Sequence, residues 1–323
     1  MAVGTSSPSR TLSVVVVAVG DRLEHGDFSV LNPALTSFQN QPSVCPDEII
    51  VPHASSADVT GPRLRFPEVT FVAVEVSHPA GSSERAEELR AAGVAAAHGE
   101  IVALMEDHVR PDQDWCSAIL SADRSDYAAI GGAIENGVDR VRNWAIYFTD
   151  LGRYQNPLPT GESSYASLVN VSYKRAALEQ VTSVWQKRFN ETIVHGALIG
   201  ARHKIALSPE IVVRQYWPED GLGVTMRDFF AWGRNYGGTR AKLAGAGKLV
   251  VYACLSPLIP IVLLSRSGFN TFKKGRLRAE WFKALPVSVV LTLAWSLGEL
   301  TGYLTGQPHK PRLERRADPL QGS

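Results

Sequence analysis

The sequence predicts an α/β fold, a doubly wound and mostly parallel sheet followed by membrane-associated helices at the carboxyl end. Three observations lead there. Apolar runs of strand length alternate with helical stretches through the first half, which implies parallel strands joined by crossover helices. One such run delivers the consecutive residues Glu106-Asp107-His108 to its carboxyl end, where open α/β sheets bind ligands. Two long apolar segments flanking a basic loop occupy the last third.

The elements follow in order. Residues 1–11 are rich in Ser, Pro and Gly and read as a loose tail. The Val-rich run 12–19 is a buried first strand rather than a signal-peptide core, because β-branched residues dominate it and Gly20-Asp21 stops it. A helix follows with Leu31, Leu35 and Phe38 on one face, then a strand at 47–51, a loop at 54–62 and a strand at 69–74. Ser82-Ser83-x-x-Ala86-Glu87 marks a helix start, with hydroxyls to cap and acids in the first turn, and the helix runs from about 83 to 97. Next come the strand 101–105, a turn at Pro111-Asp112, a helix from Trp115 to Ala122 and a strand at 127–130. That strand ends in Gly131-Gly132, a pair suited either to a tight turn or to close approach of a ligand. The segment 143–159 is aromatic and broken by Asn156-Pro157, and it reads either as an acceptor-binding wall or as a packed connector.

With 323 residues, 45% hydrophobic, the chain can bury a substantial core. A net charge of +1 gives no concentrated basic excess, so no nucleic-acid partner is expected. The three cysteines are widely spaced and form neither a disulfide framework nor a zinc knuckle. Nothing in the sequence fixes the oligomeric state.

Chemistry concentrates at two places. Carboxylate oxygens and an imidazole at Glu106 and His108, with Asp107 between them, suit Mn²⁺ or Mg²⁺, and such an ion can hold a diphosphate against a protein. A solvated turn is the plainer reading of the same run. Glu191 and His195 are four apart, which on a helix sets both on one face, the equipment for taking a proton from an attacking hydroxyl or simply an exposed pair.

In the last third, 249–264 is interrupted by Pro257 and Pro260, and 284–304 carries Glu299 near its end. Between them lie Arg266, Lys273, Lys274, Arg276, Arg278 and Lys283 against Glu280. Two full crossings would put this basic loop on the far side from the amino-terminal domain, against the positive-inside tendency. A re-entrant or interface-lying hairpin removes that conflict. Burial of both segments within a soluble domain is the alternative.

Taken in order, the runs 12–19 and 47–51, the stretch Leu89-Arg90-Ala91-Ala92-Gly93 leading into Gly99-Glu100-Ile101-Val102, and Glu106-Asp107-His108 resemble family 2 glycosyltransferases of the GT-A fold. Asn170-Val171-Ser172-Tyr173-Lys174-Arg175, Glu191-x-x-x-His195, Phe230-Ala231-Trp232-Gly233-Arg234 and the stretch 295–303 resemble later segments of a membrane-associated branch. The likeness covers about residues 12–240. It implies a GT-A-like catalytic domain at 12–240, a membrane-associated helical region with its basic loop at 241–308 and a basic tail at 309–323.

The resemblance further implies an inverting transfer of a sugar from a nucleotide-diphosphate donor to a lipid-linked or envelope glycan acceptor. The catalytic domain would face the cytosol at the cytoplasmic membrane. Glu106 and His108 would hold Mn²⁺ or Mg²⁺ in place of an Asp-x-Asp pair. Glu191 would be the catalytic base, with His195 beside it, and Asp21, His53, Arg90, Asp107, Arg234 and Arg240 would contact the donor. Two departures stand out: the first strand ends Ala18-Val19-Gly20-Asp21 instead of Pro-Thr-Tyr-Asn, and the second ends Pro52-His53-Ala54-Ser55-Ser56 instead of Asp-Asp-Gly-Ser. The carboxylate that reads the nucleotide in the family is therefore missing, which leaves the donor base open and makes a non-catalytic membrane scaffold the competing reading. A nucleotidyltransferase is disfavoured, since no Gly-rich phosphate loop follows the first strand.

Overall fold

The computed structural model describes residues 10–20, 22–79, 82–217, 221–243 and 246–306. Asp21 and the segments 1–9 and 307–323, which take in most of both expected tails, lie outside the described residues.

The amino-terminal half alternates as its apolar periodicity dictates. β1 (Leu12–Val17) leads to α1 (Leu31–Gln39), β2 (Glu48–Ala54), α2 (Thr60–Arg65), β3 (Val69–Val74), α3 (Ser83–Ala96) and β4 (Ile101–Glu106). β1 is buried along its whole length, which is why it carries Val on both faces instead of alternating. The Ser82 hydroxyl accepts the Arg85 N–H and caps α3.

After β4 come β5 (Val109–Pro111), α4 (Trp115–Ala122), β6 (Ala129–Asn136), α5 (Val141–Asp150), β7 (Gly161–Ser163) and β8 (Val171–Lys174). Then follow α6 (Arg175–Gln180), α7 (Thr182–Trp185), α8 (Glu191–Gly200) and β9 (Ile205–Gln215). The sheet order is β3-β2-β1-β4-β8-β6-β9-β5, with β7 beside β9. β3, β2, β1 and β4 are parallel, whereas β8 is antiparallel to both β4 and β6 and joins the two halves of a mixed sheet. The longest ladders are the parallel ones, β6 on β9 above all.

Three expectations are corrected. The segment 54–62 is no plain loop, because α2 begins at Thr60. Residues 109–111 are a strand, held by β9, which the alternation of the sequence did not reveal. Gly131-Gly132 is neither a turn nor a ligand approach but the middle of β6: a Cβ on Gly132 would stand 2.0 Å from the Ile211 carbonyl, at a register shift where β9 crosses closely. The run from Asn170 to Arg175 forms β8 and leads straight into α6 at Arg175. Asn170 there staples the sheet, donating to the carbonyls of Ala133 and Ile211 and accepting from the Trp115 indole.

Four α-helices complete the described residues: α9 (Leu222–Leu243), α10 (Ala246–Leu255), α11 (Ile259–Lys274) and α12 (Arg278–Thr305). α9 runs through the expected boundary at 240, so the helical layer grows directly out of the α/β domain. α9 and α12 pack backbone to backbone through Gly233-x-x-x-Gly237 and Gly298-x-x-x-Gly302. A Cβ on Gly298 would meet the Phe230 carbonyl at 2.0 Å, and one on Gly233 the Trp295 carbonyl at 2.2 Å. Small residues four apart on both helices are what permits this approach. α5 closes the other side of α12, burying Ile146, Tyr147 and Phe148 in one core with Ala284, Leu291 and Ala294. The aromatic segment is therefore mainly a packed connector, with the Tyr147 hydroxyl donating to the Ile134 carbonyl.

Candidate functional site

β4 runs parallel to β1 with Glu106 opposite Val17, and the Asp107 N–H donates to the Val17 carbonyl. This extends the strand and turns the next two side chains inward: Asp107 and His108 are both buried. His108 Nδ1 lies 3.4 Å from Asp107 Oδ1, and its Nε2 lies 3.6 Å from Glu106 Oε2 and 3.3 Å from Gln215 Nε2. Trp217 stands edge-on to the imidazole at 4.8 Å, and Trp232 of α9 stands edge-on to Trp217 at 5.7 Å. Glu106 is bound on its other oxygen by Arg90 of α3 at 2.6 Å.

Burial alone would push the His108 pKa down. The hydrogen bond to Asp107 and the charges of Glu106, Asp107 and Asp150 outweigh it, and the net shift is upward. Carboxylates that hold a proton on an imidazole would equally hold a divalent cation in its place. Glu106 Oε2 and His108 Nε2 are near enough for one ion to take both, with Asp107 behind the ring fixing its orientation. Among the described residues no group of three or more His, Cys, Asp or Glu is arranged as a metal cage. The pair thus suits an ion that completes its shell with oxygens from a ligand or water, as Mg²⁺ and Mn²⁺ do.

Three further charged groups face this cluster electrostatically. Glu191 opens α8 behind its cap Asn190, and its Oε2 accepts the Leu168 N–H at 2.9 Å. Burial raises the Glu191 pKa. The Leu168 bond, Arg90 and Arg153 pull against that, Glu106 adds to it, and the net shift is upward. Asp150 ends α5 with its side chain open to solvent, yet its pKa is raised to about 6 by desolvation, with repulsion from Glu106 and Glu191 opposed by Arg153 and His108. Arg153, three residues on, lies over the rings of Tyr154 and Tyr165 at 4.8 and 4.9 Å.

The structure thus brings Glu106, Asp107, His108, Arg90 and Glu191 into one region and adds Asp150 and Arg153, which the sequence reading did not single out. Both sit where α5 ends, inside a segment read only for its aromatic residues. A lone Asp and Arg at a helix end carry no pattern that would have revealed them.

Two residues do not join. His195 turns into the core, where its Nε2 meets the Tyr173 hydroxyl at 2.8 Å and burial lowers its pKa to about 4. Four-residue spacing fails here because Glu191 is the first residue of the helix and reaches back to Leu168, while His195 lies a turn deeper under the sheet. Arg240 is held by α12 and α10: it donates to the Tyr303 hydroxyl, pairs with buried Glu299 at 4.0 Å and covers the Tyr252 ring at 4.1 Å. Of the other donor candidates, His53 is buried at the end of β2 with Nδ1 on the Ala54 carbonyl and Nε2 without a hydrogen-bond partner. Arg234 has its backbone against α12 and a buried Nε that also lacks a partner.

No family model matches the chain. No curated protein matches it either. Among solved structures it is similar to a mannosyltransferase from Pyrobaculum calidifontis in complex with GDP-Man and Mn²⁺, at 16% identity and a TM-score of 0.48 over 93% of this chain and 86% of that one. It is also similar to glucosyl-3-phosphoglycerate synthase from Mycobacterium tuberculosis in complex with Mn²⁺, UDP and phosphoglyceric acid, at 19% identity and a TM-score of 0.42 over 68% and 75%. A third is GalNAc-T7 with UDP, GalNAc and Mn²⁺, at 14% identity and a TM-score of 0.47 over 66% of this chain and 44% of that one.

Proposed function

We propose that this chain is a membrane-associated, metal-dependent glycosyltransferase that moves a sugar from a nucleotide-diphosphate donor to a lipid-linked or envelope glycan acceptor with inversion. One observation carries the reading. At the carboxyl end of β4 a potential metal-binding pair, Glu106 and His108, lies within electrostatic reach of Glu191, a carboxyl group of raised pKa.

Sugar transfer makes two demands: neutralise the departing diphosphate, and deprotonate the attacking hydroxyl. Glu106 and His108 would hold Mn²⁺ or Mg²⁺, with Asp107 orienting the imidazole; the ion, when bound, supplies positive charge to the leaving diphosphate. Arg90 fixes Glu106. Arg153, whose charge acts on both Glu191 and Asp150, takes the role first expected of Arg240, and Arg234 is the α9 candidate for the diphosphate. His53, with its unpartnered Nε2, is the candidate contact for the donor base.

Glu191 takes the proton. Its raised pKa makes it a stronger base than an ordinary carboxylate, and the Leu168 N–H holds its Oε2. His195, buried against Tyr173, supports the seat of α8 from the core side rather than touching substrate.

The test is a panel of nucleotide sugars with Mn²⁺ or Mg²⁺, read by release of nucleoside diphosphate and by thermal stabilisation. Release with one donor, abolished by chelation and by Glu191→Gln, is expected. Neither release nor metal-dependent stabilisation with any donor would leave the non-catalytic membrane scaffold as the better account.

A further inference from the structure

The outer faces of α10, α11 and α12 present a continuous apolar surface that includes Val250, Ile261, Phe269 and Leu304, exposed by 63, 63, 68 and 73%. Surfaces of this extent are covered by something. By length and composition alone, Gly247–Lys274 and Arg278–Thr305 could each cross a bilayer. We infer that they do not: the chain is seated in one leaflet of an anionic bilayer through these outer faces, with the basic turn and the α/β domain on the same side. The inference rests on the membrane association proposed above and adds its geometry.

The packing of α12 carries the argument. Its buried residues run down one face from Ala284 to Tyr303. Ala284, Leu291 and Ala294 belong to the same core as Trp115 and Tyr147 of the α/β domain. Hydrocarbon surrounding 284–294 would have to displace α5. What remains, 295–305, is about 16 Å of helix, roughly half of the ~30 Å a crossing needs. That remainder lies along α9, and on it Glu299 is buried with the Trp295 indole and the Tyr303 hydroxyl as donors and Arg240 close by.

α10 and α11 point the same way. The helix tightens to a 3-10 turn between them at Ser256–Leu258, and Lys274, at the end of α11, donates to the carbonyls of Arg153 and Gln155. Arg276, in the turn, donates to Glu135 at 3.2 Å and to the Asn156 carbonyl at 2.9 Å. The turn between the apolar helices is therefore clamped to the α/β domain and cannot be on the far side of a membrane from it. The remaining basic groups, Lys248, Arg266, Lys273, Arg278 and Lys283, are all exposed beside the apolar faces, the arrangement that phosphate headgroups complement.

The experiment uses the full chain in membrane vesicles, sealed in either orientation, with a membrane-impermeant maleimide. Native Cys45 and Cys254 are exposed, the first on the α/β domain and the second on α10, while Cys116 is buried. Lys273→Cys is expected to label from the same face as Cys45, and Cys254 to label only after detergent is added. Flotation on vesicles of phosphatidylcholine with phosphatidylglycerol should exceed flotation on phosphatidylcholine alone. The triple variant Lys273→Gln, Arg278→Gln, Lys283→Gln should lose about a hundredfold of that binding, at roughly 1 kcal/mol per charge. Labelling of Lys273→Cys from the face opposite Cys45 would overturn the single-leaflet seat and leave membrane association standing. Failure to float on either vesicle, with Cys254 shielded in a soluble dimer, would overturn membrane association itself and leave sugar transfer to be judged on its own assay.

Discussion

His108 Nε2 stands 3.6 Å from Glu106 Oε2, while Arg90 occupies the other Glu106 oxygen and Asp107 the other imidazole nitrogen. The remaining atom of each faces the other, and the Gln215 side-chain amide stands 3.3 Å from the same Nε2, so an ion taking both would displace that contact.

The first prediction concerns the residue behind the ring. Asp107→Asn leaves both proposed ligands in place but weakens the hold on Nδ1, so Mn²⁺-dependent donor binding should weaken about 10–100-fold. Glu106→Ala should abolish it. Isothermal titration of the donor with and without Mn²⁺ checks both, and unchanged affinity in Glu106→Ala would remove the ion from this pair.

Glu191 is tested by separating binding from turnover. Glu191→Gln keeps the shape and an oxygen for the Leu168 N–H but cannot accept a proton, so kcat should fall by about a hundredfold or more with donor affinity unchanged. A drop in affinity with kcat preserved would assign it to binding instead.

Asp150 should tune Glu191 without replacing it. The two carboxylates repel each other, each favouring the protonated form of the other. Glu191 must be ionised to act, so activity is lost as pH falls through its raised pKa. Asp150→Asn removes one negative charge, lowers that pKa and should move the acid limb of kcat/KM to lower pH. An acid limb that does not move would place Asp150 outside the reach of Glu191.

Much of the fold was legible because β1 to β4 obey local rules: β-branched runs bounded by Gly or polar turns, and α3 with its Ser82 cap. β5 and β9 were not legible. β5 is three residues long and exists only because β9 pairs with it, and β9 contains Pro209 and a register shift that break any alternation. At the proposed site, Glu106 to His108 were legible as three consecutive polar residues closing an apolar run, a pattern that a solvated turn also gives. Asp150 and Arg153 gave no such signal, because only the tertiary course of α5 brings them within electrostatic reach of Glu106 and Glu191. His195 and Arg240 misled for the opposite reason: helical spacing tells which residues share a face but not whether that face looks to the site, the core or another helix.

His195 has a consequence for stability against pH. Its folded pKa of about 4 lies below the ordinary 6.5, so between those values the unfolded chain binds more protons and stability falls with falling pH. The loss begins near pH 6.5 and is complete below about 4, reaching ~3 kcal/mol for this one buried group. His195→Gln keeps an acceptor for Tyr173 and cannot titrate, so its unfolding free energy should decline less steeply than the wild type over that window. Parallel pH profiles from urea titrations would show that the imidazole is protonated in the fold after all.

The last prediction tests the join between the helical layer and the rest. Gly298 lies on α12 where the Phe230 carbonyl would be 2.0 Å from an added Cβ, and Gly233 lies opposite with the Trp295 carbonyl at 2.2 Å. Both obstacles are backbone, so neither can rotate away and the helices must separate. Gly298→Ala should therefore destabilise the protein by about 1–3 kcal/mol, the range for overpacked sites, despite the better helix propensity of Ala. Gly196→Ala, on α8 with open space at the Cβ position, should gain stability slightly and serves as the control. Because Trp232 sits beside Gly233 and reaches His108 through Trp217, separating α9 from α12 should also loosen the site. Donor affinity in Gly298→Ala should fall along with its melting temperature, whereas Gly196→Ala should keep both. If Gly298→Ala melts as the wild type does, α9 and α12 do not pack at this distance.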